Sequence, residues 1–189
     1  MIEGEKLHIK KAKKGNKEAF GLLYDYYLPK IYRYIFLKVS NEQEAEDLTH
    51  EVFFSAWRNM RGYKDEGFPF SSWLYRIAKN AVIDSYRTAK NNISLSKTGE
   101  DDFKVIDRSG ENLDIDFQLE KIKKTIPLLR QDYQDVIIMR FVEDLSHEEI
   151  AGSMGKSEGA IRLIQHRALK ELKDLYENGN TNGTIIKEV

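Results

Sequence analysis

The chain has 189 residues, 32% of them charged, a mean hydropathy of -0.57 and no cysteine. No apolar run approaches the roughly 20 residues that cross a bilayer, the charged start MIEGEKLHIKKAKKGNKEAF lacks the apolar stretch of a signal peptide, and the missing cysteines exclude disulfide scaffolds, Cys-ligated zinc, iron–sulfur clusters and thiol nucleophiles. The formal net charge of -1 averages three unlike pieces: residues 1–90 carry 16 Lys+Arg against 12 Asp+Glu, residues 91–120 carry 3 against 8, and residues 121–189 carry 11 of each.

The predicted elements begin with a short charged helix from Glu5 to Lys14, stopped at Gly15. Asn16 offers a side-chain acceptor to a free first-turn amide and opens a second helix that runs to about Val39. Phe20, Leu23, Tyr27, Ile31 and Ile35 recur there at helical spacing. Pro29 is expected to kink or split it. Ser40 with Gln43 matches a capping box for a third helix, whose Ala45, Leu48, Val52, Ala56 and Met60 share one face. The stretch Arg61–Phe70 reads as a loop by its Gly and Pro content. Ser71 or Ser72 is expected to cap a fourth helix, with Leu74, Ile77, Ala81 and either Val82 or Ile83 inward.

Residues 91–112 have no helical period and read as an extended, flexible acidic linker. A helix resumes at Asp114 and passes Phe117, Leu119 and Ile122 to Ile126, where Pro127 ends it. Tyr133 to Val142 forms another. Ser146 and Glu149 make a second capping box, opening a short helix to Met154. Gly155 stops it, Ser157 caps the next, and a last helix runs to about Tyr176. There is no strand-like alternation of any length. The expected fold is all-α: two small helical domains, residues 1–90 and 113–178, joined by the linker 91–112 and followed by a flexible tail, 179–189.

Short helix, glycine turn, longer helix is the helix-turn-helix pattern. With Ile161 as reference and about 100 degrees per residue, Gln165, Ala168 and Leu172 fall on its side of the last helix. Arg162, Leu163, His166, Arg167 and Lys170 take the opposite arc, which no acidic residue interrupts. Cations there suit phosphates and guanine edges, and a leucine suits a thymine methyl. A solvated charged face is the plainer reading of the same pattern. In the first block, Arg61, Tyr63, Lys64, Phe68, Phe70, Trp73, Tyr75, Arg76, Lys79, Asn80, Tyr86 and Arg87 interleave rings and cations. Single-stranded nucleic acid needs that mixture, since rings stack on bases while charges follow the backbone. Phe70 and Trp73 read equally well as core; Tyr63 and Phe68, in a Gly-containing loop, are expected to be exposed.

Three segments carry a resemblance. EAEDLTHEVFFSAW (44–57) resembles region 2.2 of bacterial RNA polymerase sigma factors, FSSWLYRIAKNAVIDSYR (70–87) resembles regions 2.3 and 2.4, and Ile138–Leu172 resembles region 4.2. In order, spacing and length, with nothing like region 3 between the blocks, the chain resembles the extracytoplasmic-function (ECF) group of the sigma-70 family over roughly residues 5–176. The resemblance implies docking on the polymerase clamp through Asp47, Leu48, His50, Glu51 and Trp57. It implies capture of a flipped base of the minus-ten element by the Arg61–Phe70 loop and the helix through Asn80, so that Arg61, Tyr63, Lys64, Phe68, Trp73, Arg76, Lys79, Asn80 and Arg87 are the candidate contacts. It implies reading of the minus-thirty-five duplex through Ser157, Arg162, Leu163, His166, Arg167 and Lys170. The linker would thread toward the active-site and RNA-exit path. The implied partners are core RNA polymerase (clamp and flap), promoter DNA and an anti-sigma factor, with a cytoplasmic location, no membrane insertion and no cofactor.

An enzyme is not indicated. The four histidines form no HExxH or similar pair, and no GxxxxGK[ST] phosphate loop occurs. The rival readings are a helix-turn-helix regulator whose first block senses a ligand, and a helical adaptor that touches no DNA. Co-purification with core polymerase separates the first rival, and promoter binding the second.

Overall fold

Asn16 sets the first corner of the fold. Its side chain accepts from the Ala19 amide at 2.6 Å, satisfying one of the free donors of a helix start. It thereby divides α1 (Glu5–Lys13) from α2 (Lys17–Val39). The structure is a computed structural model that describes residues 2–65, 67–93 and 124–181, with side chains described outside 90–93 and 178–181. The expected linker 91–112, the helix from Asp114 and the tail 179–189 lie outside these residues, apart from the short stretches 91–93, 124–126 and 179–181.

Helix α2 is not split at Pro29. It runs unbroken through the proline. The ring removes the amide that would bond the Asp25 carbonyl, but Asp25 and Pro29 are both exposed, so water can serve that carbonyl. The opposite face is held by buried Tyr27, Ile31, Tyr34 and Ile35. The next cap also differs from expectation. Ser40 ends α2 in the left-handed region at φ 54°, its amide donating to Phe36 O. It therefore cannot take the extended conformation of an N-cap, and Asn41 caps α3 (Glu42–Asn59) by accepting from the Glu44 amide at 2.9 Å.

The predicted face of α3 is buried as read, including Met60 in the 3-10 turn Met60–Gly62 that follows. Helix α4 spans Phe70–Ile93 and begins before both serines, so neither caps it. The Ser72 amide instead donates to Pro69 O at 3.0 Å. Beyond the buried first residues Phe70, Ser71 and Ser72, its buried positions are Leu74, Tyr75, Ala78 and Val82, while Ile77, Ala81 and Ile83 are half-buried.

In the second half a 3-10 turn at Ile126–Leu128 precedes α5 (Gln131–Ile137), which begins two residues before the predicted start and then widens into a π-helical segment, Ile138–Val142. The Glu143 amide closes that wider turn on Ile138 O at 3.0 Å. Helix α6 (His147–Met154) carries the full capping box. Ser146 Oγ accepts from the Glu149 amide, and Glu149 Oε2 accepts from the Ser146 amide at 2.8 Å. Gly155 sits at φ +64°, the left-handed region that glycine enters without steric penalty. Ser157 then caps α7 (Glu158–Thr181) by accepting from the Ala160 amide at 3.2 Å. The described residues contain no strand, and the fold is all-α.

The two helical units share one core. Ile31, Tyr34, Ile35, Val52, Leu74 and Tyr75 of the first half join Val136, Ile138, Met139, Ile150 and Ile161 of the second in one buried cluster. A smaller cluster of Leu129, Tyr133, Ile137 and Ala168 seats α7 on α5. The seam between the halves also buries charge. Lys38 Nζ and the Tyr34 hydroxyl (2.8 Å) both donate to Asp135 Oδ1. Arg33 forks onto Glu143, Nε to Oε1 at 2.6 Å and Nη2 to Oε2 at 2.9 Å, and the Tyr75 hydroxyl donates to Oε2 at 3.2 Å.

Burial, with Asp135 beside it, raises the Tyr34 phenol well above its ordinary value. Burial raises Tyr75 in the same way, with Glu143 adding to it, and pushes Tyr86 up to about 12. A raised phenol keeps its proton longer folded than unfolded. Its stabilisation is complete below the unfolded value near pH ~10 and is lost as pH climbs above it. In an alkaline titration, melting temperature is expected to fall from about pH 10 upward. The phenolate absorbance of the buried tyrosines should appear together with the loss of helical circular dichroism.

Candidate nucleic-acid interface

Four aromatic rings build the base of the first site. Tyr63 and Phe70 meet edge-on at 5.4 Å between centroids, Tyr63 and Trp73 lie at 5.0 Å, Phe70 and Trp73 at 5.4 Å, and Tyr27 backs Phe70 at 5.6 Å. Such tilted and edge-on pairs are the favoured geometry for ring quadrupoles. Above them opens a cavity of about 350 Å³ lined by Asn59, Gly62, Tyr63, Lys64, Phe68, Pro69, Ser72, Trp73 and Arg76. The cluster corrects one expectation: Tyr63, read as exposed, is buried at 7% as part of the floor. Phe68 and Trp73 are half-buried walls. Lys64 is exposed at the rim, Arg61 is exposed but does not line the cavity, its guanidinium lying toward Gly15, and Lys13 Nζ lies 5.8 Å from the Tyr63 ring centroid. A rim of cations over an aromatic floor suits a stacked base whose phosphates stay outside.

The remaining candidates of this block are spread along α4. Arg76 and Lys79 are half-buried, Asn80 and Arg87 exposed. Arg76 is already engaged, with Nη2 donating to Gly152 O of α6 at 2.5 Å. Arg87 holds a loose ion pair with Asp84 at 3.4 Å, both well exposed, an arrangement that contributes little and yields readily to a phosphate.

On α3 the structure sorts the candidate docking residues. Asp47, His50 and Glu51 stand exposed on one face. Leu48 faces the other way, buried at 8% in the core. Trp57 is half-buried against Phe20, 4.9 Å between centroids. Phe54, not among the candidates, is 62% exposed on the same stripe one turn after Glu51, with the Arg58 guanidinium 5.6 Å from its ring. The signal available was an aromatic residue placed off the buried spacing 45, 48, 52, 56.

On α7, Ile161 and Ala168 are fully buried, and Ser157, Arg162, Leu163, His166, Arg167 and Lys170 are all exposed, so the arc read from helical spacing is the solvent face. Gln165 is tied to His147 at 2.8 Å, which fixes α7 against α6. Arg162 is not an unpaired cation. Its Nη2 donates to Glu158 Oε2 at 2.9 Å one turn earlier, a surface pair that DNA can replace. Arg167 borders a second cavity, of about 410 Å³, with Arg130, Asp132, Tyr133 and Ile164. Among the described residues no cluster of three or more His, Asp or Glu could hold a metal, and no helix is long and apolar enough to cross a membrane.

Comparison with known proteins agrees with this layout. Residues 23–92 match Sigma-70 region 2 and residues 128–174 match Sigma-70, region 4. The chain is 36% identical over 173 residues to the ECF RNA polymerase sigma factor BldN of Streptomyces coelicolor, covering 88% of this chain and 64% of that longer protein. It is 32% identical over 183 residues to the ECF RNA polymerase sigma factor SigW of Bacillus subtilis, covering 90% of this chain and 97% of that one. The solved structure of the sigma factor RpoE in complex with the anti-sigma factor NepR, from Bartonella quintana, shares the fold. Its TM-score is 0.70 at 23% identity, over 84% of this chain and 96% of that one. The chain belongs to the ECF RNA polymerase sigma factors, transcription initiation factors that direct RNA polymerase to promoters.

The sorting of α3 is directly testable. Leu48→Ala is expected to lower unfolding stability by about 2–4 kcal/mol, because it empties a core position. Affinity for core polymerase, measured on the folded fraction, should stay close to that of the parent. A large affinity loss at unchanged stability would return Leu48 to the docking face.

Proposed function

We propose that this chain binds core RNA polymerase through the exposed face of α3. On our reading it traps a base of the melted minus-ten element in the cavity between Phe68, Trp73, Lys64 and Arg76, and holds the minus-thirty-five duplex on the solvent face of α7. The observation that carries this is the aromatic cavity with its cationic rim. Flipping a base out of the stack costs a few kcal/mol. A preformed pocket of rings recovers that cost by stacking, at roughly 1–3 kcal/mol per base. The work is therefore done by binding alone, with no reacting group and no cofactor, and it belongs in the cytoplasm beside the polymerase. The RpoE relative was solved with an anti-sigma factor, which supports a protein inhibitor of that kind for this chain as well. The direct test is run-off transcription with core polymerase on a genomic fragment library. Defined start sites that share two upstream elements are expected, and their absence would overturn the reading.

For polymerase docking, the pair Asp47 and Glu51 carries the charge of the α3 face, with Phe54 as its apolar centre. Reversal of both to Lys should leave helicity intact and weaken core binding by roughly tenfold or more, the cost of like charges across an interface. Unchanged pull-down of core polymerase would overturn the assignment.

On α7, Arg162 and Arg167 lie about 140 degrees apart around the axis, so they cannot address one base together. Arg162, nearer the N-terminal end that enters the groove, is assigned the base edge, and Arg167 the phosphate. Arg162→Ala should cost roughly 1–3 kcal/mol and relax preference at one position. Arg167→Ala should weaken every sequence alike and lower the salt slope by about one unit. Binding of each variant to single-base changes of the upstream element, at two salt concentrations, distinguishes the roles.

A further inference from the structure

Helix α1 precedes residues 23–92, the stretch that matches Sigma-70 region 2. One side of it is fixed on α2. Glu5 and Ala12 are buried there, and Glu5 Oε1 accepts from the Tyr27 hydroxyl of α2 at 2.5 Å. Ile9, on the same side, is half-buried against the core. With Ala12 as reference and about 100 degrees per residue, Lys6, Lys10, Lys13 and Lys14 fall within an arc of about 100 degrees on the opposite side. Lys6, Lys10 and Lys14 are exposed and Lys13 is half-buried. None of the four joins an ion pair among the described residues.

Two contacts tie this arc to the aromatic cavity. Lys13 Nζ lies 5.8 Å from the ring centroid of Tyr63, which lines the cavity. At the end of the helix, a Cβ added to Gly15 would stand 3.7 Å from Arg61 Nη2. The turn Met60–Gly62, which leads into the cavity, thus rests against the end of α1. From Lys64 at the rim the cations continue through Lys13 to Lys14, Lys10 and Lys6.

The end of a helix favours positive charge, but its macrodipole is worth only about half an elementary charge. Lys10, Lys11 and Lys13 in the last turn exceed what the dipole uses. Lys6, Lys10 and Lys14 follow at i, i+4 spacing, where like charges repel and weaken a helix. Cations kept in a line against that repulsion suit an anion whose charge repeats along its length. A lipid surface fits less well, because the apolar side of α1 that would enter it is already taken by the core.

We propose that α1 is a phosphate rail: Lys13, Lys14, Lys10 and Lys6 hold the backbone of the melted strand where it leaves the base cavity. The inference rests on reading that cavity as the site of a promoter base. Phosphate contacts carry no sequence information. The rail therefore acts on the lifetime and salt dependence of the open complex and leaves promoter choice to the cavity and to α7.

The test uses holoenzyme assembled from the full chain and core polymerase, on a promoter defined by run-off transcription. In one variant Lys10, Lys13 and Lys14 are changed together to Gln, which has similar helix propensity. In a second they are changed to Arg, which keeps the charge. Circular dichroism and pull-down of core polymerase should match the parent for both. The Gln variant should shorten open-complex lifetime under heparin challenge roughly tenfold or more, and lower the slope of log affinity against log salt by about two units, at roughly 0.7 for each lost phosphate contact. Both losses should persist on a template melted in advance, with the start site unchanged, and the Arg variant should behave as the parent does. Parent-like lifetime and slope in the Gln variant would overturn the rail. A loss that disappears on the melted template would overturn contact with the strand. Weakened core pull-down would overturn the rail in favour of a polymerase contact. A parent that yields no defined start site would overturn the reading of the cavity, and the rail with it.

Discussion

Two carboxylates out of water govern the arrangement of this molecule. Asp135 and Glu143 come from one half of the chain, and the groups that hold them, Lys38, Tyr34, Arg33 and Tyr75, come from the other. A buried charge without its partner is among the more expensive defects a protein can carry, so the halves must meet in one register or separate fully into water. That condition explains why Tyr34 and Tyr75 are buried with their hydroxyls aimed across the seam. It also explains why α4 turns Tyr75 and Ala78 inward where spacing alone suggested Ile77 and Ala81.

The surfaces proposed for recognition lie on rigid elements. The floor of the base cavity is a packed aromatic cluster continuous with the core through Tyr27 and Phe70, so the rings that would stack on a base are positioned before it arrives. The α7 arc is fixed by Ile161 and Ala168 beneath it and by the Gln165 link to His147. Binding at either proposed site would therefore lose little entropy, which leaves more of the contact energy for discrimination.

Much of this was readable from sequence. The capping box Ser146–Glu149, the Gly155 stop and the Ser157 cap are local devices whose chemistry acts within four residues, and the structure shows each of them. The α3 core face and the α7 arc follow from one helical period. Where the reading departed, a competing use of the residue was decisive. Ser40 was spent ending α2, which left the cap to Asn41. Tyr63 lies in a loop, yet its ring meets Phe70 and Trp73 of α4, and Tyr27 of α2 backs Phe70. Leu48 belongs to a motif that the resemblance assigns to docking, yet its own period places it in the core. The charged seam was not legible, because it depends on contacts more than sixty residues apart in sequence, Arg33 to Glu143 and Tyr75 to Glu143 among them.

The side chain of Glu149 leads further. One carboxylate oxygen accepts the Ser146 amide and completes the cap of α6, and the other accepts the Ser71 hydroxyl from α4. A helix end and a boundary between halves are thereby written into one residue. In genetic terms the position is pleiotropic: a change there alters the folding of the DNA-reading half and the closure of the whole chain in a single step. Suppressors of such a change should fall into two unlinked groups, one around Ser146 restoring the helix end and one around Ser71 adjusting the boundary. No single second mutation on either side would repair both.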